Sequence, residues 1–568
     1  MSAIDYIVLL ATLLGISAYG IWRTRQNAGL DSYLKGDDSI KWGTIGLSVM
    51  ATQASAITFL STPGLAYDEG LLFVQNYFGM PFAIIFICIF FIPIYRRLKV
   101  YTAYEYLGRR FDAKSQYLGA TLFLVQRGLA AGITIYAPAI VISSLLGWNL
   151  KLTILLVGLL VIVYTVSGGT KAVSITQRYQ MAVIMGGMFI AFGMIFRELP
   201  DSVSVSEAIS VAGALGKINP VDLEFDLSEK YNIWSGILGG FFLSLSYFGT
   251  DQSQVQRYLA GSSTSGSRFG LLFNAVVKIP MQFFILFVGV MVFVFYQFEK
   301  PPVFFNTDTV ARLNETEFAD EFQVLEDRYD SLVEERSEAV MALAESFESD
   351  DDTLIEAATA KAVELDTQSA AVREEVKSLI DKSEIGMKAK DSDYVFITFI
   401  LNYLPQGLVG LMIAVIFSAA MSSTASELNA LGSTTMVDFY SRIRSKKHDE
   451  AHYVRVSRIL TASWGVIAVV FALYASLVSN LIEAVNKIGS LFYGAILGIF
   501  LVAFLFKRIS GNSVFYAALL AQAIIFLLNW YSSIAYLWFN PIGCLLVIVF
   551  AFILQFTVFA NDKKEVVS

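Results

Sequence analysis

Long apolar stretches alternate with short polar segments along most of the chain. Each stretch is close to 20 residues or longer, about the length of helix that crosses the hydrocarbon core of a bilayer. We predict thirteen membrane spans, at 5–22, 42–66, 71–95, 116–146, 150–167, 172–197, 232–259, 268–296, 407–438, 453–478, 481–506, 513–531 and 534–559. The pattern indicates an all-α, multi-pass protein of the cell inner or plasma membrane, with the lipid bilayer as a partner.

Lysine and arginine lie mainly in the loops after the first, third and ninth spans, whereas the alternate loops are short or acidic. Cytoplasmic loops carry the excess of basic residues in membrane proteins. We therefore expect the N-terminus outside and the C-terminus inside. The opening MSAIDY lacks a basic stretch, so the first span is expected to be retained rather than cleaved as a signal peptide.

One segment departs from the apolar pattern and divides the chain into a membrane region at 1–299, an insert at 300–392 and a second membrane region at 393–568. Residues 301–390 contain 23 Asp and Glu against 9 Lys and Arg, so the insert accounts for the negative net charge of the chain. Two apolar stripes with spacings of three and four residues predict an extracytoplasmic helical hairpin. The first is Phe318, Phe322, Leu325, Tyr329 and Leu332, and the second is Val372, Val376 and Leu379. We interpret the hairpin as a solvated decoration and leave open a protein partner for it.

Polar residues inside spans mark the places where chemistry is expected, because each costs free energy in lipid. The second span carries hydroxyls and an amide between Ser48 and Gly64, and the ninth carries a run of hydroxyls between Ser418 and Thr435. Carbonyls freed by an unwound turn, together with hydroxyls from a second helix, form a hard oxygen shell that suits Na⁺. The structural alternatives are close packing of small residues and hydroxyls bonded within their own helix.

The seventh span is predicted to break around a cavity, where Tyr247-Phe248-Gly249 precedes Asp251. Four basic residues fall within spans or near their ends: Arg127, Arg178, Lys278 and Lys487. Each needs a carboxylate, carbonyl or water partner, and we expect structural or gating pairs rather than direct solute ligands. Arg127 is expected nearer the cytoplasmic side than the solute site.

The chain has few residues suited to disulfides, to zinc binding or to histidine-based catalysis. The two cysteines, Cys88 and Cys544, lie in apolar runs, and the two histidines, His448 and His452, share one basic loop. These positions argue against a disulfide framework, a zinc site or a histidine-based catalytic triad. No G-x-x-x-x-G-K-[ST] loop occurs. We expect no enzymatic activity, no metal site beyond Na⁺ and no nucleic-acid partner.

Six motifs in this order resemble the sodium:solute symporter family, which contains the sodium–glucose and sodium–monocarboxylate carriers. They are DSYLKGDDSIKWGTIGLSVMATQASAITFLSTPGLAY, YTAYEYLGRRFDAKSQYLGATLFLVQ, YAPAIVIS, SGGTKAVSITQRYQ, GTDQSQVQRYLAG and SAAMSSTASELNALGSTTMVDFY. The stretch from Tyr101 to Ile142 looks most like the branch that carries monocarboxylates, iodide and vitamins. The resemblance implies a LeuT-type core of two inverted five-helix repeats, formed by spans two to six and seven to eleven.

The resemblance also implies a sodium site between the second and ninth spans, the two segments that polarity alone singles out. Its ligands would be the carbonyls of Ala51, Ala54 and Ala419 and the hydroxyls of Ser422 and Ser423. Some family members have a second sodium site around an aspartate of the sixth span, where this chain has Gln177. We expect one sodium site, because a neutral amide beside Arg178 is poorly suited to Na⁺.

The same resemblance suggests which residues face the solute. Thr58 and Ser244 stand where the sugar carriers have glutamine and asparagine, so the polar set of a sugar site is largely missing. Tyr247 stands at the inner-gate tyrosine. The residues expected to line the solute cavity are Gln53, Thr58, Gln75, Tyr77, Ser244, Tyr247 and Asn486.

These features predict a secondary active symporter that uses Na⁺ to import a small organic solute by alternating access. The branch resemblance favours a carboxylate or related anion. The alternatives are a symporter of sugars or other neutral solutes, a sensor or receptor with the transporter fold, and a passive channel. Coupling to protons is not expected, because no buried carboxylate is predicted at the site.

Overall fold

The computed structural model describes residues 2–24, 40–349, 351–385, 389–443, 449–474 and 480–560. Apart from loops and one isolated bridge between Ile40 and Gly261, these residues are helical. The helices before the insert are α1 (Ala3–Thr24), α2 (Trp42–Gln53), α3 (Ala56–Glu69), α4 (Met80–Phe86), α5 (Ile92–Leu98), α6 (Ala103–Arg110), α7 (Ala113–Leu146), α8 (Leu150–Arg197), α9 (Val205–Ala214), α10 (Gly240–Thr250), α11 (Gln252–Leu259) and α12 (Thr264–Phe298). Short 3₁₀ or π segments lie at Leu72–Tyr77, Ile87–Phe91 and Ser235–Gly239.

Two short helices, α2 and α3, make up the second predicted span and meet at a bend of 59°. Ala54 ends α2 with φ −79° and ψ 68°, outside the helical region. Ser55 begins α3 by accepting the N–H of Thr58 on its side chain. The break releases backbone carbonyls in the middle of the span, which is tolerated in a membrane only where a protein cavity or a ligand satisfies them.

The helix α8 is continuous in backbone conformation but contains two predicted spans, 150–167 and 172–197. The Tyr164 hydroxyl lies 2.7 Å from Thr176 Oγ1, twelve positions further along the chain. A straight helix would separate two such residues by about 18 Å along its axis. The chain is therefore not a straight helix between them.

The seventh predicted span is also broken, as its sequence predicts. The helix α10 ends at Thr250, and Asp251 caps α11 by accepting the N–H of Ser253 at 2.9 Å. An aspartate at this position satisfies N–H groups that have no partner inside the new helix. The break thus places a carboxylate between two half-helices inside the protein.

The insert contains one short and two long helices, α13 (Thr307–Leu313), α14 (Ala319–Ser346) and α15 (Asp352–Lys382). The long pair runs antiparallel, since Arg328 pairs with Glu375 at 3.1 Å and Arg336 with Asp366 at 3.5 Å. Residues of both predicted stripes are buried between them, among them Phe322, Tyr329, Val372, Val376 and Leu379. The insert is therefore a helical hairpin with its own apolar core.

The helices after the insert are α16 (Ser392–Tyr403), α17 (Leu408–Thr434), α18 (Ser441–Ile443), α19 (Glu450–Ala472), α20 (Leu481–Leu505), α21 (Gly511–Tyr531) and α22 (Phe539–Thr557). Among the described residues, nine helices are long and apolar enough to cross a membrane, and the bent α2–α3 pair adds a tenth. Shorter apolar helices occupy the first and fifth predicted spans. The all-α fold is thus present, while thirteen crossings and the direction of the termini stay predictions.

The hairpin contacts the membrane region, and its interpretation as a decoration stays a prediction. Arg336 donates to the Tyr296 carbonyl at 2.8 Å. Arg373 pairs with Asp391 at 3.1 Å and lies over the ring of Tyr67 on α3, 5.9 Å from its centroid. A cavity of about 700 Å³ lies between the hairpin and the ends of α3 and α20. Buried guanidinium groups need such partners. The membrane region supplies the Tyr296 carbonyl and the ring of Tyr67, whereas Asp391 belongs to the insert itself.

Candidate sodium and solute site

The five residues assigned to sodium lie where the break between α2 and α3 meets the hydroxyl-rich part of α17. All five are buried. Ser422 Oγ donates to the Ala51 carbonyl at 2.8 Å, which joins the two helices directly, and Ser423 Oγ donates to the Ala419 carbonyl at 2.9 Å. Ala54 lies at the break itself. These carbonyl and hydroxyl oxygens are the ligand type that a hard cation prefers, so the residues fit Na⁺.

Gln177 lies beside this set and connects three helices. Its amide nitrogen donates to Thr52 Oγ1 at 3.1 Å, to Ser426 Oγ at 2.8 Å and to the Ser422 carbonyl at 3.1 Å. Its amide oxygen accepts from Ser48 Oγ at 2.5 Å. An amide N–H₂ group therefore donates to the cluster of oxygens that would otherwise be free to hold a cation. That the protein has one sodium site stays a prediction.

A cavity of about 130 Å³ lies next to the break. Six of the seven residues expected to face the solute line it, namely Gln53, Thr58, Tyr77, Ser244, Tyr247 and Asn486. Thr52 and Ser55, which neighbour the sodium residues in the chain, line it as well. The sodium set and the cavity thus share the same irregular stretch of backbone.

Gln75 is the exception and does not line this cavity. Its amide nitrogen donates to the Tyr231 carbonyl at 3.0 Å, and its amide oxygen accepts the N–H of Asp222 at 3.2 Å. The side chain is fully buried and holds the loop that precedes α10. Its neighbour Asn76 lines the cavity instead. Sequence position alone could not separate the two amides, because the 3₁₀ turn that carries them points them in different directions.

Arg127 lines the cavity, so its expected position nearer the cytoplasmic side is wrong. Its guanidinium binds Asp251 through Nε and Nη2, Glu427 Oε1 through Nη1 at 3.1 Å, and the Tyr493 hydroxyl at 2.6 Å. All four side chains are buried. The expectation that no buried carboxylate stands at the site is also wrong, because Glu427 lines the same cavity. Charge inside a span marked these residues, but only the tertiary structure brings them together.

Lys278 is a functional candidate for which the sequence predicted only a structural or gating pair. It lines the cavity, is 2% exposed, and lies over the ring of Tyr77 at 5.4 Å from the centroid. Among the described residues no carboxylate lies within ion-pair distance of it. Its position in a span was the available signal, but the face of α12 to which it belongs could not be read from its spacing.

Three known proteins are similar to this chain over most of its length. The sodium/sialic acid symporter NanT of Aliivibrio fischeri is 24% identical, over 97% of this chain and 92% of that protein. The sodium-coupled monocarboxylate transporter 1 of Mus musculus is 25% identical, over 87% of this chain and 68% of that protein. A solved structure of a Na⁺-coupled sialic acid symporter, in a substrate-bound outward-open state, superposes with a TM-score of 0.76 at 23% identity and covers 99% of both chains. This last likeness shows a shared fold.

The family model of the sodium:solute symporters matches residues 33–317 and 374–521. The unmatched stretch between them falls inside the acidic insert and contains α14 and most of α15. The match confirms the resemblance of the ordered motifs, with Na⁺ as the coupling ion, a multi-pass plasma-membrane location, and transport rather than enzymatic activity as the work of the family. The chain is a member of the sodium:solute symporter family.

Proposed function

We propose that this chain imports a small organic anion together with Na⁺ by exposing one cavity alternately to the two sides of the membrane. The proposal that the solute is an anion rests on Lys278. An ammonium group buried inside a membrane protein is costly without a counter-ion. Since no described carboxylate pairs with Lys278, a carboxylate on the solute supplies the missing charge.

Arg127 does not need a counter-ion from the solute, because Asp251 and Glu427 already bind its guanidinium. A neutral solute such as a sugar would leave Lys278 without a counter-ion. The residues at the two positions that bind sugar in the resembling carriers, Thr58 and Ser244, are also small hydroxyls here. The cavity therefore favours an anion over a neutral solute.

The break between α2 and α3 supports coupling between ion and solute. Ala51 and Ala54 carry carbonyls assigned to Na⁺, whereas Gln53 and Thr58 line the cavity, and Thr58 Oγ1 donates to the Gln53 carbonyl across the break at 3.0 Å. An ion that draws these carbonyls toward α17 reshapes the cavity wall. Ion and solute then raise each other's affinity by the same factor. One Na⁺ and one singly charged anion carry no net charge across the membrane, so the sodium gradient rather than the membrane potential drives this cycle.

Thermal stability of the purified protein tests the proposal. We expect Na⁺ to raise the melting temperature, and a carboxylate such as lactate to raise it further only when Na⁺ is present. A screen of carboxylates, sugars and amino acids identifies the solute class. Glucose stabilising the protein where every carboxylate fails would contradict an anionic solute, and stabilisation by Li⁺ or protons but not by Na⁺ would contradict the sodium site.

Two lysine variants test whether Lys278 binds the anion. Lys278→Met is expected to keep the shift caused by Na⁺ and to lose the further shift caused by the carboxylate. Lys487→Met is the matched control, because Lys487 is an exposed lysine on α20 and does not line the cavity. If Lys278→Met binds the carboxylate as tightly as the wild type, another residue supplies the counter-ion.

A further inference from the structure

We infer that the solute carries a hydrogen-bond donor in addition to its carboxylate, and that Glu427 accepts this donor and thereby selects among organic acids. The inference rests on the proposed function and extends it from organic anions in general to one class of them. It identifies Glu427 as a specificity-determining residue, next to Lys278 in the same cavity.

The two carboxylate oxygens of Glu427 have different surroundings. Oε1 accepts from Arg127 Nη1 at 3.1 Å. Oε2 is buried, and among the described residues no donor reaches it. The side chain is 5% exposed and lines the cavity. A buried carboxylate oxygen without a donor is costly, so a donor from the solute accounts for a feature that the protein itself leaves unsatisfied.

Most hydrogen-bond donors near Glu427 already bind other acceptors. Arg127 directs Nε and Nη2 to Asp251, and Nη2 also contacts the Tyr493 hydroxyl. Tyr493 in turn donates to Asp251 Oδ2 at 2.9 Å. The Thr134 hydroxyl is within hydrogen-bond reach of Glu427, but it has one proton, which it donates to the Ala130 carbonyl at 3.1 Å. The cluster therefore presents an acceptor at Glu427 Oε2, and these hydrogen bonds use four of the five N–H groups of Arg127.

The charges of the cavity wall lead to the same conclusion. Arg127, Asp251 and Glu427 form a cluster of one cation and two anions, whereas Lys278 is a single cation outside that cluster. One cavity thus has an anion-binding end at Lys278 and a donor-binding end at Glu427. A carboxylic acid with a hydroxyl, amide or ammonium group satisfies both ends, and a plain aliphatic acid satisfies only the first.

Matched pairs of acids test the inference on the wild-type protein. Lactate is compared with propionate, 3-hydroxybutyrate with butyrate, and alanine with propionate, each as a competitor of Na⁺-dependent uptake or as a stabilising ligand in the presence of Na⁺. We expect the member with the donor to act at a concentration at least about tenfold lower, because its partner leaves Glu427 Oε2 unsatisfied.

Variants of Glu427 link the preference to this residue. Glu427→Leu is expected to abolish the preference within each pair, whereas Glu427→Gln keeps a neutral acceptor and is expected to lose only the preference for ammonium. Asp438→Asn is the control, because Asp438 binds Thr102 and Gln116 away from the cavity and the ratio should not change. The ratio of two solutes on one variant does not depend on how much of that variant folds.

The outcomes separate the two claims. If carboxylates compete but the donor makes no difference in the wild type, or if Glu427→Leu retains the full preference, the role of Glu427 is overturned while the anion proposal stands. If no carboxylate competes at all, the proposed function itself is wrong, and the inference about Glu427 is overturned with it.

Discussion

The amide nitrogen of Gln177 donates to Ser426 Oγ at 2.8 Å and so joins α8 to α17 beside the residues assigned to sodium. The same nitrogen also reaches Thr52 and the Ser422 carbonyl. Three oxygens thus share the two N–H donors of a neutral side chain. An amide can take this role only because its N–H₂ group supplies the donors that hydroxyl and carbonyl oxygens accept.

Gln177→Asp is expected to make uptake and thermal stability depend more steeply on the Na⁺ concentration. The substitution removes the donors and adds a charge, which leaves several oxygens that only a cation can satisfy. We expect the Hill coefficient for Na⁺ in uptake or stabilisation to rise from about one to above one, and the stability without Na⁺ to fall.

Gln177→Leu is the control for this change, because it removes the donors without adding charge. It should lower stability at every Na⁺ concentration by about 1–3 kcal/mol for each buried acceptor left unsatisfied. An unchanged Na⁺ dependence in Gln177→Asp would show that the amide does not stand in for an ion.

Ser423→Ala is expected to weaken sodium binding at least about tenfold, the effect of losing about 1.4 kcal/mol from the ion's oxygen shell. The measurement is the Na⁺ concentration that gives half of the maximal rise in melting temperature. Ser418→Ala is the matched control, because Ser418 is also buried on α17 but its hydroxyl has no hydrogen-bond partner among the described residues. Equal Na⁺ affinity in the two variants would argue against the assigned ligand.

Arg373→Met is expected to loosen the hairpin at its base, because Arg373 pairs with Asp391 at the end of the insert and lies over Tyr67 of the membrane region. Asp391 is 2% exposed, and removal of its partner leaves a buried carboxylate uncompensated at a cost of about 3–5 kcal/mol. Hydrogen exchange should become faster in α14 and α15. Arg328→Met removes an exposed pair on the same hairpin and should cost no more than about 1 kcal/mol. Similar exchange in both variants would mean that Arg373 does not fix the hairpin.

The start of α15 is expected to fray in acid. The hydroxyl and N–H of Thr353 and the N–H of Leu354 donate to Asp351, which lowers the pKa of its carboxyl below the ordinary 3.8. A lowered pKa means that the stabilisation is present above pH 3.8 and is lost as the pH falls through the lower value in the folded protein. Faster exchange of the Leu354 amide below that pH is the expected result. Asp351→Asn should show no such pH dependence.

The residues assigned to sodium could be proposed from the sequence because they lie in two contiguous stretches. Ala51 and Ala54 occupy a polar, small-residue segment, and Ser422 and Ser423 occupy a dense run of hydroxyls. The family resemblance then joined the two stretches. Gln75 shows the limit of this approach, since its neighbour Asn76 has the same chemistry and only the path of the 3₁₀ turn decides which amide meets the cavity.

Local pattern was enough to determine the apolar spans, the two broken helices and the hairpin, because apolar length, turn chemistry and helical spacing are properties of consecutive residues. The partners of charged residues were decided only by the tertiary structure. Arg127, Asp251 and Glu427 are separated by more than a hundred positions in the chain and meet through the packing of three helices. Within the described ranges no carboxylate pairs with Lys278. Ion pairing depends on distance in space, and no spacing along one helix encodes which charge another helix brings to it.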